Sequence, residues 1–110
     1  MTEIPYKEWV EALRSGDYKQ TKETLKGELP EGGVGYCCLG VLAETMGYEL
    51  EVEPYLGDEE SFFYRREGPE HIYTELANGM GEDFVVELIR HNDNKLSFKE
   101  ISDIIEREKM

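Results

Sequence analysis

Eight consecutive residues, Tyr36-Cys37-Cys38-Leu39-Gly40-Val41-Leu42-Ala43, carry no charge in a chain whose formal net charge is −13. Only Glu44 is charged before Gly47, a helix-stopping residue. The length of this stretch favours a helix over a strand, and the helix is predicted over Cys38 to Met46. A helix that is apolar almost all round has no face to offer water, so it is central and buried. The rest of the chain must then supply its cover. Gly40, inside it, lets another element approach closely.

The flanking segments have the patterns of that cover. Tyr6, Trp9, Val10 and Leu13 fall at i, i+3, i+4 and i+7, which predicts a helix from about Pro5 to Ser15 with Gly16 as its C-terminal cap. Trp9 is expected to be a core anchor. Pro30-Glu31-Gly32-Gly33 is a turn, between short strands expected near Thr24–Lys26 and Val34–Tyr36. Beyond the central helix, Tyr48, Leu50 and Val52 alternate with Glu49, Glu51 and Glu53, the pattern of a half-buried strand. Ser61 to Arg66 looks like its partner, with Arg65 and Arg66 opposite the glutamates. Glu70 to Asn78 is expected to be a short helix ended by Gly79-Met80-Gly81.

The C-terminal part is predicted as an αα-hairpin. Its first helix runs from Asp83 to His91, and Asn92 to Lys95 form the loop. Ser97 and Glu100 make an S-x-x-E capping box, flanked by Leu96 and Ile101 as a hydrophobic staple. Phe98, Ile101, Ile104 and Ile105 form the buried stripe of the last helix, to about Glu106. The expected fold is therefore a single α+β domain over residues 1–110. A central buried helix is covered by an N-terminal helix, the C-terminal αα-hairpin and a small antiparallel sheet.

Charge narrows the partners. Twelve basic residues face 25 acidic ones, and both are spread evenly along the chain. With no basic patch, direct binding to nucleic acid or to an anionic membrane surface is not expected. No run approaches the length of a membrane span. Met1-Thr2-Glu3-Ile4-Pro5 has neither the basic nor the apolar region of a secretory signal. The acidity serves solubility, or, as a sharper alternative, mimicry of nucleic acid in the basic groove of another protein. Its densest part lies between Glu49 and Glu60, where Glu51, Glu53, Asp58 and Glu59 are the candidate partner-facing carboxylates.

The best enzymatic alternative is a cysteine-dependent hydrolase. Cys37 or Cys38 sits near a helix start, where the macrodipole lowers a thiol pKa. His71 or His91 follows as a base, and Asn92 or Asp93 as its orienting group. The competing expectation is that both thiols pack as small hydrophobes. Being adjacent, the two cysteines cannot form a framework of long-range disulfides, which suits a reducing cytoplasm. No metal-ligand spacing and no cofactor motif is present: Asp58-Glu59-Glu60 lacks the order of a calcium loop, and Gly32-Gly33-Val34-Gly35 lacks the Lys-Ser/Thr of a phosphate loop.

Three segments carry a family resemblance. They are Trp9-Val10-Glu11-Ala12-Leu13-Arg14-Ser15-Gly16-Asp17-Tyr18-Lys19-Gln20, then Tyr36-Cys37-Cys38-Leu39-Gly40-Val41-Leu42, then Asn92-Asp93 through Ser97-Phe98-Lys99-Glu100-Ile101. In this order they resemble a group of small uncharacterised bacteriophage and prophage proteins. The resemblance implies a phage-related origin and a life in the bacterial host cytoplasm; it supplies no catalytic residues. The expected function is non-catalytic binding against a host defence component, by sequestering a nucleotide signal or by binding a host protein. For a nucleotide-like ligand, Tyr18 would stack on the base while Arg14, Arg65 or Arg66 pairs with phosphate. A homodimer is compatible with the small size and many aromatics.

Overall fold

A computed structural model describes residues 3–21, 25–50, 52 and 70–110, with the backbone alone for Glu70 and His71. In chain order the elements are α1 (Tyr6–Arg14), β1 (Lys26–Glu28), β2 (Val34–Tyr36), α2 (Cys38–Thr45), α3 (Glu70–Met80), α4 (Glu82–Asp93) and α5 (Phe98–Lys109). The class is α+β. Among the described residues, no helix is long and apolar enough to cross a membrane.

Helix α2 occupies the centre. All six residues from Cys38 to Ala43 are buried. Helix α1 covers it with Trp9, Val10 and Leu13, and the Trp9 indole N–H donates to the Cys38 carbonyl at 2.9 Å. Helix α4 packs on α2 from another side through Val85 and Leu88, while α3 lies against α4 and buries Ile72, Leu76 and Met80. Helix α5 buries Phe98, Ile101 and Ile105. It starts at the expected capping box, in which the Ser97 N–H donates to Glu100 Oε1 at 3.0 Å and the Glu100 N–H donates to Ser97 Oγ at 3.2 Å.

The sheet is one antiparallel hairpin, Lys26 opposite Tyr36 and Glu28 opposite Val34. On its other side Tyr36 is bridged in parallel by residues 19–21: its N–H donates to the Lys19 carbonyl and its carbonyl accepts from the Thr21 N–H, both at 2.8 Å. The first strand lies two residues later than expected, because Leu25 is held away from the ladder. Its carbonyl accepts from the Cys37 N–H at 3.3 Å and rests on Gly40 of α2. A Cβ at Gly40 would sit 1.8 Å from that oxygen. The close approach expected of Gly40 is therefore the seating of the hairpin on the central helix.

Further expectations are corrected, and one falls outside the described residues. Residues 48–50 form no strand; Tyr48 and Leu50 still pack on the core, but Val52 is 42% exposed, so the alternation does not continue inward. The proposed partner strand, Ser61–Arg66, lies outside the described residues. Gly79 does not end α3, which continues to Met80; the stop is Gly81, whose φ of +96° L side chains rarely adopt. Asn92 and Asp93 belong to α4 rather than to the loop, and α5 runs to Lys109 rather than Glu106. The two C-terminal helices are joined by a short turn as expected, but α5 lies chiefly along α1, not α4.

Candidate functional site

The double cysteine stands where β2 enters α2. Cys37 is the N-cap residue, extended at φ −84° and ψ 173°, and its Sγ accepts from the Gly40 N–H at 3.4 Å. Cys38 is the first residue of the helix and fully buried; its Sγ lies 3.8 Å from the Leu88 carbonyl. Burial pushes the Cys37 thiol from 9.0 up to about 11, and drives the Cys38 thiol well above its ordinary value. The helix start was expected to act in the opposite direction. A macrodipole contributes about 0.3–1 kcal/mol, whereas two pKa units correspond to about 2.7 kcal/mol, so desolvation wins.

The groups around Cys38 form a buried polar joint whose members Gln20, Cys38 and Asn92 come one from each of the three resembling segments. Asn92, 1% exposed, reaches from the last turn of α4. Its Oδ1 accepts from the Cys38 N–H at 3.2 Å and from Gln20 Nε2 at 3.0 Å. Its Nδ2 donates to the Thr21 carbonyl at 2.7 Å. Gln20 Nε2 also donates to the Leu96 carbonyl at 2.6 Å. Two amide side chains thus tie the start of α2, the segment before the hairpin and the α4–α5 turn to one point. The missed signal was periodic: Asn92 follows Val85 and Leu88 at i+7 and i+4, on the buried stripe of its helix.

The other candidate residues fall in four places. His91 is half-buried, with Nε2 3.9 Å from the Glu87 carboxylate one turn earlier. The backbone of His71 lies in α3, and its side chain is outside the description. Arg65, Arg66, Glu51, Glu53, Asp58 and Glu59 all lie outside the described residues. Among the described residues, no group of three or more His, Cys, Asp or Glu is placed to hold a metal ion.

Arg14 and Tyr18 are brought together. Both line a cleft of ≈ 440 Å³ between the end of α1 and the start of α5. Arg14 faces α5, where Nε donates to Ser102 Oγ at 2.9 Å and the two terminal nitrogens meet Asp103 at 2.7 Å and Glu106 at 3.1 Å. The Glu106 and Asp103 carboxylates hold its pKa up. The Tyr18 ring stands edge-on to Tyr36, centroids 5.1 Å apart at 90°. Desolvation, with smaller help from Glu44, raises its phenol pKa.

Residues 1–65 match the model of a family described as a domain of unknown function, DUF8296. No curated protein and no solved structure matches the chain.

Proposed function

The chain belongs to the DUF8296 family, and from that premise we propose that it is a non-catalytic binding protein of phage or prophage origin. It acts in the bacterial host cytoplasm on a defence component, by sequestering a small nucleotide-like signal or by binding a host protein. The observation that carries this reading is the use made of the cysteines. Cys37 caps α2, Cys38 lies wholly in the core, and burial disfavours the thiolate of both. A nucleophile needs the thiolate and access to substrate, and the burial of both thiols supports binding over the hydrolase alternative. The phage origin is supported by the three resembling segments.

Capture tests the proposal. Tagged protein is purified under native conditions from a bacterial host and examined by native mass spectrometry and ultraviolet absorbance. A retained base-absorbing molecule, or a stoichiometric complex with a host defence protein, is the expected result. Turnover of an ester or amide substrate that disappears in Cys38→Ala, with the fold intact, would overturn it.

A further inference from the structure

We infer that the cleft between α1 and α5 is a binding site for a small phosphate ester carrying a flat ring, and that Lys99 takes the phosphate. This rests on the binding reading above and names the ligand class for it. The cleft measures ≈ 440 Å³, inside the roughly 300–1,000 Å³ typical of small-molecule sites. Its lining includes the buried apolar side chains of Leu13 and Phe98 beside the ring of Tyr18. Apolar and aromatic walls of this kind suit a flat ring.

The walls are set before any ligand arrives. Tyr18 is held edge-on by Tyr36, and Gln20 is pinned by Asn92 and the Leu96 carbonyl. Side chains already immobilised lose little further entropy on binding.

Charge decides the other half of the ligand. The chain has 25 acidic residues, yet none of those lining the cleft is acidic and two, Arg14 and Lys99, are basic. The two cations are not equivalent. Three of the five N–H donors of Arg14 are taken by Ser102, Asp103 and Glu106, and the two carboxylates among them already answer its charge. Lys99 is exposed, and its ammonium makes no ion pair among the described residues. A compact ammonium with three rotatable donors serves phosphate as a point charge. The anionic group therefore goes to Lys99, and Arg14 holds the wall in place.

Adenosine 5′-monophosphate, adenosine and inorganic phosphate are the probes, titrated into the full chain at low salt and followed by calorimetry and by the amide NMR signals of Tyr18, Gln20 and Lys99. The monophosphate is expected to bind, with the nucleoside and phosphate each weaker by about tenfold or more. Lys99→Gln is expected to weaken the monophosphate by about tenfold or more, as the loss of a charged hydrogen bond implies, and to leave the thermal melt unchanged because Lys99 is exposed. Tyr18→Leu should weaken adenosine as well. No binding of the monophosphate, or binding that Lys99→Gln does not change, overturns the assignment. If the wild type and Lys99→Gln capture a host ligand or defence protein equally well, the cleft assignment falls while the broader binding reading stands. If neither protein captures anything, it is the broader reading that falls.

Discussion

Around Asn92 and around Arg14, one polar side chain gathers three partners from distant parts of the chain. Asn92, itself buried, holds Cys38 inside the core and the half-buried Gln20 and Thr21 at its margin. Arg14 holds Ser102, Asp103 and Glu106 at the surface, its side chain 35% exposed. The geometry is similar and the energetics are not. A buried main-chain group that loses its partner cannot turn to water, so each orphan costs about 1–3 kcal/mol. A surface ion pair exchanges one solvated arrangement for another and contributes little. The neutral joint in the core is therefore expected to determine stability, and the charged clamp to determine only how firmly α1 is held to α5.

The largest effect is expected from Asn92→Leu, which strands the Cys38 N–H in the core and leaves the half-buried Thr21 carbonyl without its amide partner. A loss of ~2–5 kcal/mol is expected in urea titration. A loss no greater than that of Arg14→Ala would erase the contrast between the two regions. Gly40→Ala comes next, since its Cβ would sit 1.8 Å from the Leu25 carbonyl and backbone would have to move. Overpacking of this kind costs ~1–3 kcal/mol, and slower folding of the hairpin onto α2 should accompany it.

A third effect depends on pH. The Cys37 thiol is raised in the folded state, so the fold favours the protonated form. Its contribution is complete below the unfolded value of 9.0 and is lost as pH rises toward about 11. Between pH 9 and 10 stability should fall by ~1 kcal/mol, and less in Cys37→Ala. Thiol labelling of the native protein should be slow throughout that window and speed up on unfolding; rapid labelling at neutral pH would contradict the burial on which the structural role of the pair rests. The smallest effect is Arg14→Ala. Its deficit should be visible at ~0.05 M salt and shrink at ~1 M, where the screening length falls to about 3 Å. A deficit that does not respond to salt would move Arg14 into the same class as Asn92.

What could be read from residue order follows from which contacts are local. The Ser97–Glu100 box joins residues three apart, and the stripes of α1 and α5 repeat every turn, so they were legible. So was α2, because a charge-free stretch in so acidic a chain has few other places to be. The start of β1 was not, since Leu25 is claimed by Gly40, a contact between residues with no shared periodicity. The helix end within Gly79-Met80-Gly81 is not legible for the opposite reason: α3 is held by Ile72, Leu76 and Met80 in the core, and that packing outweighs the helix-breaking preference of Gly79, leaving Gly81 as the stop. In the cleft, Arg14 and Tyr18 are legible from their chemistry alone. Nothing in the neighbourhood of Lys99 along the chain distinguishes it; only the packing of α5 on α1 brings it to the same cleft.

The peptide groups of Cys38 also bear on how the molecule reaches this state. The carbonyl is claimed by Trp9 and the N–H by Asn92, one near each end of the chain. The central helix is thus completed only after both ends have returned to it, and closing loops of that length is slow relative to forming a local turn. The Cys38 amide should exchange with solvent deuterium only through global opening, on the same timescale as the Trp9 indole, while the amides of the Gly32-Gly33 turn exchange locally. A fragment holding residues 1–65 alone would carry the double cysteine without Asn92 or the α5 surface that covers α1. It should remain a fluctuating chain until a fragment bearing α3 to α5 is added, and the two pieces should then fold together in a single concentration-dependent step.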